Sequence, residues 1–355
     1  MKKKKTFAIC LATLMTTLAL TGCGAKTEDA QTTDGKRQLV ISTWGLSEDI
    51  LKTDVYAPFE EKFNCEIVLE IGATPERYTK LVSDPNSKVD IIDLSQSKAA
   101  EGYEAGIFEQ IDYSKIPNAK DLIPAASELT KSGYGPAYTI NSIGIIYDKE
   151  AVGFEIKEFA DLWKPELAGK ISIPEITSTF GPAMMYVAND YKGGDIATDE
   201  GAKAFEALEE LKPNIVKTYS KSSDLANMFA SDEIQVAVVG DFAIPTIQSA
   251  APQVEFVSPA SGTYANFNTM DINKNSKNKD LAYEFINWRL SNELQTKTAS
   301  SLNEAPTNST VQLTEDVAKN KTYGEIAAKA KPIDYSIVNP LMPNWIDQWN
   351  RILNS

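Results

Sequence analysis

Residues 38–72, "QLVISTWGLSEDILKTDVYAPFEEKFNCEIVLEIG", set the fold class. Leu39, Val40 and Ile41 make the continuous apolar run of a buried strand, and Ser47 followed by Glu48 and Asp49 reads as a helix cap with acids in the first turn. A helical stretch then runs to Phe63, and "EIVLEIG" alternates as a half-buried strand does. Downstream come the helical "PERYTKLVSD", the short strand "VDIIDLS" and the helix-like "QSKAAEGYEAG". This β-α-β-α-β order predicts an open, mostly parallel sheet with helices on both faces. In such sheets ligands lie beyond the carboxyl ends of the strands, where Thr43, Trp44 and Gly45 follow one strand and Ser95, Gln96 and Ser97 another. Core packing is the competing reading for Trp44.

A second run of the same kind starts near residue 141. "SIGIIYD" reads as a strand, "KEFADLW" as a short helix, "GKISIPE" as a strand and "GPAMMYVAND" as a helix that Pro182 can open. "DEGAKAFEALEELKP" spaces Ala202, Phe205, Leu208 and Leu211 helically, with Asp199 as the expected cap and Pro213 as the stop. "IQVAVVGDF" is a buried strand ending in Gly240 and Asp241. From about residue 268 the pattern turns helical: "NKDLAYEFINWRLSN", "TEDVAKN", "YGEIAAKA" and "NWIDQWNRIL". Trp345, Ile346, Trp349, Ile352 and Leu353 share one face of the last segment, so both tryptophans are expected in a core. No fixed-period repeat is visible, which argues against a solenoid or propeller.

The first 22 residues have a Lys2–Lys5 head and a Thr-rich apolar middle too short for a membrane span, the pattern of an export signal. Leu20-Thr21-Gly22-Cys23 resembles a bacterial lipobox, in which the cysteine becomes the first mature residue and carries lipid. Residues 23–37 are then a lipidated flexible tether, since they hold no large apolar side chain to bury. The expected location is the outer face of the cell membrane, the periplasmic side in a Gram-negative cell.

Loss of the four lysines takes the net charge from -14 to -18, a poor match for nucleic acid or an anionic membrane surface. About 330 mature residues exceed what one core usually serves. With Cys10 in the signal and Cys23 lipidated, Cys65 stands alone and reads as a small buried filler. Histidine is absent from all 355 positions, which removes Ser-His and Cys-His nucleophiles and the common zinc sites. There is no Walker-type loop, no G-x-S-x-G and no C-x-x-C.

The segments "GPAYTINSIGIIYDKEAV" (135–152) and "FADLWKPELAGKISIPEITSTFGPAMMYVA" (159–188) resemble the middle of bacterial ABC-transporter solute-binding proteins, most closely the spermidine/putrescine-binding branch. The resemblance runs from about Leu39 to "NEAPTN" at 303–308. It implies a two-lobed periplasmic-binding-protein-like α/β fold (type II), each lobe an open, mostly parallel sheet flanked by helices, with the ligand cleft between them. Residues 38–140 would begin the first lobe, 141–267 would form the second, and 268–355 would return to the first with the C-terminal helices. The crossing strands are expected near 139–144 and 264–272. The implied role is capture of a small polar solute for an ABC permease, by a monomer without catalysis, cofactor or metal.

Carried across residue by residue, the family pattern places Trp44, Ser95, Gln96 and Ser97 on the first wall and Asn141 and Ser142 on the first crossing. Thr177, Ser178, Thr179 and Phe180 fall in a second-lobe loop, Asp241 after a strand, and Tyr264, Asn266 and Asn268 on the return crossing. An ordinary solvated turn competes with a binding role for the Ser/Thr loop.

The chain departs from the polyamine pattern where Asn266 and Asn268 replace an aromatic and an aspartate, and hydroxyls replace loop acids. Asp241 is the clearest remaining acid, with Glu175 near the loop. An organic cation is favoured by the nearest branch, by Asp241 and by the aromatic faces of Trp44, Phe180 and Tyr264. A phosphonate, phosphate ester or thiamine-like compound is favoured by the hydroxyl-rich loop before a helix. Ferric iron is disfavoured because histidine and an adjacent tyrosine pair are missing. A surface lipoprotein hydrolase is the competing class, yet Asp90 and Asp93 point to opposite sides of a strand and Glu209 and Glu210 do not face each other on a helix. An adhesion or scaffold protein would lack a closable cleft.

Overall fold

The computed structural model describes residues 32–33, 35–45 and 47–353. The export signal, Cys23 and most of the tether lie outside the described residues. Among the described residues, no helix is long and apolar enough to cross a membrane.

The first strand, β1 (Lys36–Thr43), runs into a helical stretch over 48–63 whose last part is α1 (Ala57–Phe63). The expected Ser47 cap does not form: Ser47 has φ 50° and its side chain caps nothing. A π-helical turn, Lys52–Tyr56, precedes Pro58, whose missing N–H breaks the regular ladder in the turn behind it. Strand β2 (Cys65–Ile71), helix α2 (Thr74–Ser83), strand β3 (Ile91–Ser95) and helix α3 (Gln96–Glu104) complete the expected alternation. β1 pairs in parallel with β2 on one side and β3 on the other.

The twelve-residue β4 (Ala137–Asp148) joins the two halves of the sheet. Then come β5 (Ile171–Pro174), α4 (Gly181–Tyr191), α5 (Ala202–Leu211), β6 (Ile215–Tyr219), α6 (Ser222–Ala230), β7 (Val236–Gly240), α7 (Ile244–Ala250), β8 (Val254–Val257) and β9 (Tyr264–Ile272). Pro182 sits in the first turn of α4, as expected. Asp199 does not cap α5; it ends a short helix before it, and Gly201, at φ 88°, stands at the α5 N-terminus, with its N–H donating to Asp199 Oδ1 at 2.8 Å. Parallel pairing runs β6–β5–β7, while β8 and β7 flank β4 antiparallel.

Alternation along the strands gives each half a core on both faces. Leu39, Ile41 and Ile91 pack on one side of the first half, Val40, Ile92 and Leu94 on the other. Ile143, Ile145, Val236 and Val238 do the same for one face of the second half, and Ile146, Ala237 and Val239 for its reverse. Cys65 is a buried free thiol in the first core.

The C-terminal stretch divides. Helices α8 (Lys279–Arg289) and α9 (Asn292–Ser301) place Leu281, Phe285 and Leu294 in the first half's core. The last helix, α10 (Tyr335–Leu353), starts nine residues before the expected segment and holds Pro340 and Pro343 inside it. Its Trp345 and Trp349 are fully buried against α4 and α5 residues such as Met185 and Leu208. α10 thus spans both halves: Trp345 and Trp349 pack with the second, while its Asn339 bonds Ser97 of the first, so the expected return of 268–355 to the first lobe holds for only part of this helix.

Candidate functional site

Strand direction locates the cleft. β4 pairs with β9 through 137–142 and with β7 through 143–147, so one strand serves both halves. β9 is antiparallel to both β3 and β4, so β3 and β1 run in the direction of β4, toward the second half. β7 is antiparallel to β4 and parallel to β5, so those strands run back toward the first half. The carboxyl ends of the two half-sheets thus point at each other across β4 and β9, the position where open α/β sheets bind ligands.

On the first wall, Trp44 is half-buried, its Nε1–H donating to Thr74 Oγ1 at 2.9 Å. The guanidinium of Arg77 lies 4.9 Å from the Trp44 ring. Gln96 is buried, with Nε2 donating to the Ile333 carbonyl at 3.3 Å and Oε1 left without a donor. Ser97 Oγ bonds Asn339 Oδ1 at 3.1 Å, so the first turn of α3, rather than the expected loop, also fastens the C-terminal segment. Ser95, half-buried, stands opposite Asn268 in the β3–β9 register.

The crossing itself carries a polar strip. Asn141 and Asn266 are paired in register, as are Ser142 and Ala265. Asn141 Nδ2 donates to Asp241 Oδ1 at 3.1 Å, and the Thr322 N–H and Oγ1 donate to Asp241 Oδ2 at 2.8 and 2.6 Å. Ser142 Oγ and Thr322 Oγ1 lie 2.7 Å apart. Asn266 Nδ2 reaches Asn268 Oδ1 at 3.2 Å, while the enclosed Asn266 Oδ1 has no donor. Burial pushes the Asp241 carboxyl up to about 6, with the bonds from Thr322 and Asn141 holding it back.

The second wall differs from expectation in which side chains face outward. Thr177 and Thr179 are exposed, but Ser178 turns its Oγ back onto the Glu175 carbonyl at 2.7 Å, closing the turn on itself. Phe180 is buried, its ring 6.2 Å from that of Phe242, which is 46% exposed and is the aromatic presented to solvent. Tyr264 is not open for a ligand through its hydroxyl, which donates to Asp190 Oδ2 at 2.7 Å beside the Tyr186 ring. The structure therefore brings Asn141, Ser142, Asp241, Asn266 and Asn268 together and directs the polar ends of Tyr264 and Ser178 elsewhere.

Thr322, Phe242 and Arg77 were not legible as residues beside the crossing. Phe242 alone had a signal, following Asp241 at a strand end. Among the described residues no group of three or more His, Cys, Asp or Glu side chains could hold a metal ion. Asp90 and Asp93 have separate partners, the Val40 N–H at 2.9 Å and Thr43 Oγ1 at 2.6 Å, and do not form a facing acid pair. A cavity of about 390 Å³ opens at the β6 edge, where Lys217 and Glu233 already pair at 2.7 Å; it lies away from the crossing strands.

Comparison with known proteins agrees with this geometry. Residues 54–325 match the family described as bacterial extracellular solute-binding protein. A crystal structure of an ABC transporter from Clostridium perfringens is 57% identical, with TM-score 0.83, over 89% of this chain and 99% of that one. Spermidine/putrescine-binding periplasmic protein 1 of Haemophilus influenzae is 25% identical over 299 residues, 81% of each chain. Putrescine-binding periplasmic protein PotF of Escherichia coli is 27% identical over 277 residues, 72% of this chain and 74% of its own. With two half-sheets opposed across shared strands and a family match over most of its length, the chain belongs to the bacterial extracellular solute-binding proteins.

Proposed function

We propose that this protein is the substrate-binding component of an ABC importer, capturing a small polar solute between its opposed half-sheets and delivering it to a membrane permease. The observation that carries the reading is the buried polar strip Asn141–Asp241–Thr322–Ser142 at the crossing, shared by both halves. A solute bound there makes contacts with both walls only when they approach, which favours the closed form by differential contacts. Lipid anchoring through Cys23 and action as a monomer belong to the same proposal.

The names of the relatives favour an organic cation, and the exposed face of Phe242 with the half-buried Trp44 suits an ammonium group. Asp241 supplies negative charge, but its oxygens already accept three donors from Asn141 and Thr322. A second ammonium would find no comparable acid on the strip, and a buried charge left unpaired costs several kcal/mol. The second reading, a solute with an anionic group, is supported by the exposed Thr177 and Thr179 ahead of α4.

Small-angle scattering and thermal melting of a soluble chain starting after Cys23 test capture. A solute at about a hundred times its dissociation constant is expected to add roughly 2.7 kcal/mol and to compact the particle. Unchanged dimensions with a small-molecule filtrate of a bacterial extract, and with polyamines, would count against capture.

A further inference from the structure

The loop before the last helices places an unpaired lysine at the crossing. Thr322 is fixed there by its two bonds to Asp241 and its contact with Ser142, so its neighbour Lys321 is held beside the same strip. Lys321 is only 7% exposed, yet its ammonium makes no hydrogen bond or ion pair with any described residue. Other partly shielded lysines are matched, Lys98 with Glu101 at 2.6 Å and Lys279 with Glu109 at 2.6 Å.

Asp241 is near enough for its charge to act on Lys321 but forms no ion pair with it, its oxygens being taken by Asn141 and Thr322. Burial pushes the Lys321 amine below its ordinary value, and Asp241 partly restores it. The stem is buried while the ammonium still reaches solvent, so it is open to an arriving anion at a point where few waters can serve it. On the crossing strand the enclosed Asn266 Oδ1 also lacks a donor. The strip therefore offers one cation that no acid among the described residues matches.

We propose that Lys321 is the contact for an anionic group, a carboxylate or phosphonate, on the captured solute, whose other end is an ammonium; the solute is a short zwitterion and not a polycation. This rests on the solute-capture reading and names its ligand class. A polyamine brings only cations and would set one against Lys321. A zwitterion matches Lys321 with its anion, and its ammonium can lie against an aromatic face such as that of Phe242, which is exposed beside Asp241.

The test is calorimetric titration of the soluble chain with 4-aminobutyrate and 2-aminoethylphosphonate, which separate carboxylate from phosphonate. Their alcohol counterparts 4-aminobutan-1-ol and ethanolamine, together with putrescine and spermidine, complete the set. The wild type is expected to bind at least one of the two zwitterions more tightly than its alcohol. Lys321→Met should weaken that zwitterion roughly 100-fold and its alcohol counterpart far less, and Lys321→Arg should recover most of the zwitterion loss. Equal zwitterion affinity in wild type and Lys321→Met overturns the assignment, as does tighter binding of putrescine or spermidine, or no binding of either zwitterion. Compaction with a polyamine alone would overturn Lys321 as an anion contact while keeping solute capture. Failure to compact with an extract filtrate would instead remove capture itself.

Discussion

Arg77→Met is expected to lower the unfolding free energy by about 5 kcal/mol, because it leaves three inward carbonyls without their donor. Arg77 is 4% exposed, with Nε donating to the Gly72 carbonyl at 2.9 Å and Nη1 to the carbonyls of Ser42 and Asp93, both at 2.9 Å. These acceptors lie at or just beyond the carboxyl ends of β2, β1 and β3, so one guanidinium ties together the strand ends that form the first wall. Each bond from a charged donor contributes about 1.5–3 kcal/mol, and an orphaned buried carbonyl costs about 1–3. Methionine keeps much of the volume and removes only the fork. Arg77→Lys keeps the charge but cannot span three acceptors, so it should recover less than half of the loss. Urea unfolding followed by far-ultraviolet circular dichroism measures both variants. A loss below about 1 kcal/mol for the methionine variant would show that the carbonyls find other donors. Solute affinity should fall alongside stability, since Arg77 also backs the Trp44 ring and reaches Thr74 Oγ1 at 3.4 Å.

The elements were legible because their signals are local. "QLVISTW" and "IQVAVVGDF" are apolar runs bounded by turn residues, and they appear as Lys36–Thr43 and Val236–Gly240. The crossings expected near 139–144 and 264–272 fall within Ala137–Asp148 and on Tyr264–Ile272. Boundaries slipped where a local signal had more than one use. Ser47 precedes acids as a cap would, yet its backbone is left-handed; the last helix begins well before "NWIDQWNRIL" and carries Pro340 and Pro343 inside it.

The site was half legible for a physical reason. Residues at strand ends and on crossing strands are placed by the sheet itself, so Asn141, Ser142, Asp241, Asn266 and Asn268 fall where the strand order puts them. Which way a side chain turns depends on partners distant in sequence. Tyr264 is drawn to Asp190, 74 residues away, and Gln96 to Ile333, 237 residues away. Thr322 and Lys321 come from "KNKTYG", a loop with no periodicity and no motif, and reach the site only because Thr322 bonds a carboxylate 81 residues earlier. Asp241 also changes role. Expected as an open counter-charge for a cationic ligand, it holds the Thr322 loop against the crossing strand.

The same burial is expected to make stability rise as the solution is acidified from neutral, opposite to the usual behaviour of carboxylate-rich proteins. Burial pushes the carboxyls of Asp93 and Asp241 up to about 6 and that of Asp271 up to about 7, against an ordinary 3.8. Hydrogen bonds from Thr43, Thr322 and Thr269 respectively offset part of each rise, as do the charges of Arg289 and Arg77 at Asp93. A carboxyl with a raised folded-state value binds protons more tightly in the native chain than in the unfolded one. Its contribution is fully present below the unfolded value and is lost as pH climbs through the folded one, a window from about pH 4 to pH 7 here. Each shift corresponds to on the order of 3 kcal/mol, so the three together outweigh solvated pairs such as Asp54 with Lys297, whose carboxyl is lowered and whose contribution is lost only in stronger acid. The urea midpoint is expected to be higher at about pH 5 than at about pH 7.5 by several kcal/mol of stability, and Asp271→Asn should flatten the profile most. A midpoint that is level or rises between those pH values would mean that the three carboxyls stay ionised in the fold, with their charge met by contacts the hydrogen bonds above do not account for.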